Sequence, residues 1–138
     1  MLSVRFLSKK FALLIAMMCL ALFVVGCGSS GSKALQVKDV QNDPFSYTGE
    51  ITVVGIVSDF ATDGEPIFGI KDIESMKQCG FSITCSAWVM PVVLEGQGGL
   101  PAFADEVEVT GTFANMDGHP VFQATDYKVT GSYAEYMQ

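Results

Sequence analysis

Positive charge is almost absent from most of this sequence. The only arginine is Arg5, and after residue 27 five lysines stand against all 15 acidic residues, which gives that part of the chain a net charge of −10. Proteins that bind nucleic acid draw much of their affinity from Lys and Arg on phosphates, and docking on anionic lipid has the same requirement. We therefore expect neither nucleic acid nor an anionic lipid surface to be a partner.

Side chains that perform catalysis are also scarce. The chain has one histidine, His119, and four cysteines. A Ser-His-Asp or Cys-His arrangement needs a base held against a nucleophile, and no motif in this sequence places one. We expect a protein that is not an enzyme, with no catalytic residue, no cofactor and no metal.

The N-terminal residues form a distinct pattern. Arg5, Lys9 and Lys10 precede an uncharged run from Phe11 to Val25, and these 15 residues fall short of the roughly 20 that a membrane-spanning helix needs. A positive start, a short apolar run and a small residue before the break are typical of an export signal. The alternative, an uncleaved N-terminal anchor, fits the length and the flanks less well.

The run ends in Val24-Val25-Gly26-Cys27, which resembles the lipobox of bacterial lipoproteins. In that family the cysteine receives a diacylglycerol, the preceding peptide is removed, and the new amino group is often acylated with a chain such as palmitate. The resemblance implies lipidation of Cys27, and two or more acyl chains anchor a protein stably. We expect a protein of the bacterial cell envelope, membrane-anchored through Cys27 and facing outside the cytoplasm, in the periplasm or at the cell surface.

Four segments follow from these patterns. Residues 1–26 are the predicted signal peptide, and residues 27–33 combine the lipidated cysteine with a flexible Gly/Ser linker. Residues 34–131 suit a single domain, and residues 132–138 are a C-terminal tail.

The domain shows the pattern of short β-strands after a short helix or turn within Ala34–Asp43. Glu106–Ala114 alternates strictly between apolar and polar residues, and turn signals occur at Asp63-Gly64 and Asp117-Gly118. Gly55 and Gly111 lie on the apolar sides of their strands, where glycine permits strong coiling. The five predicted strands are Glu50–Ser58, Ile67–Asp72, Trp88–Glu95, Glu106–Ala114 and Val121–Val129. Pro91 predicts an edge position or a bulge for the third.

The segments Asn42-Asp43-Pro44-Phe45, Gly49-Glu50-Ile51 and Val107-Glu108-Val109-Thr110-Gly111-Thr112-Phe113 resemble tRNA-anti-like OB-fold domains of bacterial secreted and lipid-anchored proteins. The resemblance covers about residues 35–131. It implies an all-β fold, a small five-stranded OB-fold-like Greek-key barrel with a short N-terminal helix, here preceded by a signal-peptide helix. The connection Gly96–Ala104 is too short and too rich in Gly and Pro for the helix that the family has between its third and fourth strands. The fold implies no single ligand.

Cys79 and Cys85 lie in the longest predicted connection, Ile73–Ala87. Export exposes the chain to an oxidising compartment, so a disulfide between them is the first expectation. A reactive thiol pair and metal ligation stay open, and they define an alternative function in envelope thiol-redox chemistry or metal handling. A Cys/Cys/His site with His119 is disfavoured, because we expect the two loops concerned at opposite ends of the barrel.

The preferred function is a non-enzymatic binding module for a protein, peptide or small ligand. OB-folds bind on the face of their second and third strands, and Phe60, Phe68 and Trp88 are the predicted contact residues there. The flanking loops are Asp59–Glu65 and Asn115–Pro120. The carboxylates of the first loop do not follow the EF-hand pattern, so we interpret them as a solvated turn rather than a calcium site. The pattern favours no particular oligomeric state.

Overall fold

The computed structural model describes residues 33–82, 87–96 and 98–134, which belong to a compact unit spanning Ser32–Gln138. The predicted signal peptide, Cys27 and Cys85 lie outside the described residues. The described residues contain six strands: β1 (Leu35–Gln36), β2 (Ile51–Phe60), β3 (Ile67–Lys71), β4 (Val89–Leu94), β5 (Asp105–Met116) and β6 (His119–Ser132). The helices are α1 (Val37–Val40), a 3-10 turn (Pro44–Ser46) and α2 (Ile73–Cys79).

The expectation of a mainly β domain with a short N-terminal helix is confirmed. None of the helices in the described ranges has the length and apolar character needed to cross a membrane.

Five of the strands pair in a closed circuit. β2 pairs antiparallel with β3, and β3 with β4. β4 pairs in parallel with β6, β6 antiparallel with β5, and β5 returns antiparallel to β2, with Val109 opposite Val53. β1 adds a short parallel pairing beside β2. Each of these five strands therefore has a neighbour on both sides, which pairs with backbone N–H and C=O groups that would be exposed at an open sheet edge.

The strands exceed their predicted bounds mainly at the last hairpin. β5 and β6 leave only Asp117 and Gly118 between them, both at positive φ (53° and 87°), the conformation that a two-residue hairpin turn favours. Pro91 predicted an edge strand or a bulge, but β4 lies between β3 and β6. Its parallel pairs with β6 begin at Val92, so the missing N–H of Pro91 costs no bond in that ladder.

The connection between β3 and β4 contains a helix, α2, where the sequence pattern predicted a loop. Asp72 is its N-cap, and its carboxylate accepts hydrogen bonds from the backbone N–H groups of Glu74 and Ser75. Met76 is fully buried on this helix. An N-cap Asp followed by Glu in the first turn was the available signal, but a helix of seven residues shows little periodicity.

The main core lies inside the circuit of strands. Alternate residues of the strands, including Phe68, Met90 and Phe122, pack there with Val37 and Val40 of α1. Gly55 and Gly111 face the same interior, as predicted. A β-carbon at Gly55 would come within 2.8 Å of the carbonyl oxygen of Lys71, and one at Gly111 would overlap the backbone of Gln123.

A second cluster covers the outer side of β2. Ile56 packs there against Met76 of α2 and Tyr133, which follows β6. The hydroxyl of Tyr133 donates a hydrogen bond to the carbonyl oxygen of Met76 at 2.7 Å. The folded domain therefore extends beyond the predicted boundary at residue 131, because Ser132 ends β6 and Tyr133 is buried.

Candidate functional site

The outer side of β3 and β4 carries an apolar surface. In the antiparallel register Ile67 lies opposite Val93, Gly69 opposite Pro91 and Lys71 opposite Val89. The alternate residues of both strands are buried in the core, so these six lie on the other side of the sheet. Ile67, Val89, Pro91 and Val93 are all partly exposed, and we refer to these four as the apolar face.

Gly69 gives the apolar face its shape. The side chain of Val89 occupies the place where a β-carbon of residue 69 would lie, and the β-carbon of Asp59 is 3.3 Å from that place. One methyl group of Val89 therefore packs over Gly69 of β3. Any larger residue at position 69 would displace it.

The apolar face is unusual for an exposed side of a sheet. Strands with one solvated side normally alternate between apolar and polar residues, but Val89–Leu94 contains no polar side chain. This uninterrupted run was the sequence signal for the face. Contiguous apolar surface that solvent can reach is a recognised feature of interaction sites, and the four side chains of the apolar face are partly exposed.

The predicted aromatic contact residues lie elsewhere. Phe68 is 1% exposed and its ring packs edge-on against Tyr127, so a ligand at the surface cannot reach it. Phe60 is 39% exposed but lies opposite Phe68 in the register, on the inner side at the end of β2. Trp88 packs partly buried against the main core. None of the three belongs to the apolar face.

A β-bulge explains why Phe60 lies on the inner side. The register of β2 against β3 shifts by one residue between Val57 and Asp59. A bulge of this kind moves every following side chain to the opposite side of the sheet. Simple alternation from Val57 would put Phe60 outside, whereas the structure puts Asp59 there, beside Gly69.

Carboxylates border the apolar face at the end near the β2–β3 loop. Asp59, Asp63 and Glu65 are exposed there, and Glu95 is exposed directly after β4. The ion pair found in the described ranges, Lys77–Glu74 at 3.3 Å, lies on α2 and involves none of them. Within the described residues no lysine forms an ion pair with this acidic border, and Lys71 is the one basic residue on the outer side of β3.

A cleft of about 320 Å³ adjoins the same end of β4. It is lined by Leu94, Glu95, Gly96, Gly98, Thr125, Asp126 and Tyr127. The hydroxyl of Tyr127 donates to the carbonyl oxygen of Gly99 at 2.7 Å, and this bond holds the segment after β4 against β6. The cleft thus combines two carboxylates with the ring of a tyrosine whose hydroxyl is already bonded.

The structure offers no metal centre at Cys79, the one loop cysteine among the described residues. Cys79 is disulfide-bonded and therefore has no free thiolate for a metal. Cys85 lies outside the described residues, so its pairing with Cys79 stays a prediction. Within 33–82, 87–96 and 98–134 no three His, Cys, Asp or Glu residues are grouped to hold a metal ion.

The expected separation of His119 from the cysteine-bearing connection is wrong. β4 and β6 are parallel, with Val92 opposite Phe122, so they begin at the same end of the sheet. His119 starts β6, and the connection that carries the cysteines leads into the start of β4. His119 is exposed and makes no part of a metal-binding group among the residues described.

Comparison with known proteins gives little further evidence. No protein-family model matches the sequence, and no curated protein is significantly similar to it. The chain is similar to the N-terminal domain of PriB from Thermoanaerobacter tencongensis, a structure described as dimeric. The two share 16% sequence identity over 62% of this chain and 100% of that one, with a TM-score of 0.38. A similarity of this size carries no inference about function.

Proposed function

We propose that this chain is an exported, lipid-anchored OB-fold module that is not an enzyme and binds a protein or peptide partner through the apolar face. Two features support the fold assignment. The five strands β2 to β6 pair in a closed circuit, and β4, the third of them, pairs in parallel with β6, the fifth. This pairing supports a five-stranded Greek-key barrel of the OB type, in which β3 and β4 would be the second and third strands.

The observation that carries the proposal is the apolar face itself. OB-folds bind ligands on the outer side of their second and third strands, which here bears Ile67, Val89, Pro91 and Val93. Apolar surface left in water costs about 25 cal/mol per Å² relative to burial. A partner that covers this side recovers that free energy.

The chemistry of the face favours a protein or peptide over other ligands. Aromatic rings for base stacking are absent from the four residues of the face, and carboxylates border it. Both features oppose a nucleic-acid strand, which binds through stacking and positive charge. Lipidation at Cys27 would hold this face outside the cytoplasm, close to the membrane.

Site-specific photo-cross-linking in cells tests the proposal. A benzophenone amino acid at position 93 of the full-length protein should yield a defined cross-linked product. The same probe at position 129 is the control, because Val129 is 46% exposed on β6 and outside the apolar face. A product from position 129 but not from position 93 would contradict the proposed binding face.

A further inference from the structure

The partner of the apolar face follows from the order of charges along it. Building on the proposed function, we infer that this partner is the apolar face of a second copy of the same chain. The two copies are related by a two-fold axis that runs across the strands, so that their β3 strands run in opposite directions. Lys71 of each copy then lies against Glu65 of the other.

The charges on the outer side of β3 and β4 are separated along the strands. Lys71 is at one end, opposite Val89, and it makes no ion pair within the described residues. Glu65 is exposed just before the other end of β3, and Glu95 is exposed directly after β4, which ends there. This side of the sheet therefore carries a cation at one end, aliphatic side chains in the middle and carboxylates at the other end.

This order of charges makes the surface complementary to itself in one orientation. Two equivalent surfaces that face each other in a dimer are related by a two-fold axis that lies within the interface. An axis along the strands would place Lys71 against its own equivalent and the carboxylates against each other. An axis across the strands places each end against the opposite charge, and the symmetry forms each such pair twice.

The net charge of the protein makes the position of Lys71 decisive. After residue 27 each copy carries a net charge of −10, so two copies repel each other. At physiological salt the Debye length is about 8 Å, and exposed charges farther apart than this contribute little. Charges at the contact itself still act, and the orientation across the strands keeps like charges apart there.

The size of the apolar face indicates a weak contact that depends on the membrane. Stable interfaces in solution use roughly 20 to 30 residues a side. The apolar face has four aliphatic residues and a charged border. Lipidation at Cys27 would confine the copies to one surface and raise their effective concentration, which allows a weak contact to form. The association must therefore be measured on a membrane.

Energy transfer between copies of the full-length lipidated protein tests this inference. Donor and acceptor fluorescent proteins are fused after Gln138, and both forms are reconstituted at low density in liposomes of zwitterionic lipid at about 150 mM salt. Val93→Asp should reduce the transfer to the level of random proximity. Val129→Asp is the matched control, because Val129 is 46% exposed on β6 and outside the apolar face, and it should leave the transfer unchanged.

An exchange of charge tests the orientation of the two copies. Lys71→Glu and Glu65→Lys should each lower the dimer fraction by about threefold or more, and a mixture of the two variants should restore it, because each then offers the charge that the other lacks. Lys128→Glu is the matched control for Lys71→Glu, since Lys128 is exposed on β6 outside the face. Glu65→Lys makes the protein less negative, so general repulsion alone predicts the opposite result for it.

The outcomes distinguish this inference from the proposed function. Transfer no higher in the unmodified protein than in Val93→Asp would overturn the second copy as the partner. The binding face would still stand if the photo-cross-linked product from position 93 contains another protein, and it would be wrong if position 93 yields no product either. An absence of rescue in the mixture, or stronger association of Lys71→Glu, would overturn the orientation across the strands.

Discussion

Asp72 joins two helices that are far apart in the sequence. One carboxylate oxygen caps α2, and the other accepts a hydrogen bond from the backbone N–H of Lys38 in α1 at 3.2 Å. Asp72 is 3% exposed, so water does not replace these bonds when they are lost. Because Val37 and Val40 of α1 fill part of the main core, this carboxylate connects the core to the outer helix.

Replacement of Asp72 should therefore destabilise the domain. We expect Asp72→Ala to lower the free energy of unfolding by about 2 to 3 kcal/mol, since it removes a helix cap and leaves buried N–H groups unpaired. Asp72→Asn keeps one acceptor oxygen and should cost less. Asp43→Ala is the control, because the side chain of Asp43 caps nothing and is exposed. Chemical denaturation followed by Trp88 fluorescence measures all three, and equal losses for Asp72→Ala and Asp43→Ala would contradict the role of Asp72.

The C-terminal boundary of the domain gives a second prediction. Tyr133→Phe removes the hydrogen bond to Met76 but keeps the ring packed in the second cluster, so we expect a loss of about 1 kcal/mol. A chain that ends at Gly131 loses the ring as well and should be less stable by roughly 3 to 5 kcal/mol. Thermal unfolding of the two forms measures the difference. If the chain that ends at Gly131 unfolds at the same temperature as the full chain, Tyr133 does not belong to the folded domain.

The close approach at Gly111 gives a third prediction. A β-carbon there would overlap the carbonyl group of Gln123 on β6, at the point where the β5–β6 register shifts. Because backbone cannot move aside as a side chain does, Gly111→Ala should cost more than about 2 kcal/mol. Gly99→Ala is the matched control, since nothing lies within 4 Å of a β-carbon at that position and its φ is not positive. Urea unfolding should place Gly99→Ala within about 0.5 kcal/mol of the unmodified protein; a similar cost for both substitutions would argue against the steric explanation.

The sequence was sufficient for much of the strand pattern because alternation and turn chemistry are local. Val107 and Val109 alternate with polar residues, and Asp117-Gly118 marks the last hairpin, so β5 and its turn were predictable. The bulge after Val57 was not, because it depends on the pairing with β3 rather than on the residues of β2 alone.

The candidate site was predictable only in its position. The face of the second and third strands followed from the family resemblance, but the residues on it did not. Aromatic side chains suggested Phe60, Phe68 and Trp88, whereas the outer side belongs to aliphatic residues and Pro91. The relation of His119 to the cysteine connection also required the parallel pairing of β4 and β6, which no local pattern encodes.

The state of the cysteines yields the final prediction, and intact-protein mass spectrometry measures it together with the N-terminus. We expect the native protein to begin at acylated Cys27 and to contain a disulfide between Cys79 and Cys85 in every molecule, because the proposed lipobox would direct acylation and the proposed compartment outside the cytoplasm would be oxidising. Cys27→Ser should abolish acylation and release the protein from the membrane, whereas Cys79→Ser/Cys85→Ser should leave it anchored.

The Cys79→Ser/Cys85→Ser double variant should lose roughly 2 to 3 kcal/mol of stability at most, since the disulfide closes a short loop. Alkylation before reduction should label neither loop cysteine. Free thiols or bound metal in the native protein would contradict a structural disulfide and support the alternative of thiol-redox or metal chemistry at Cys79 and Cys85.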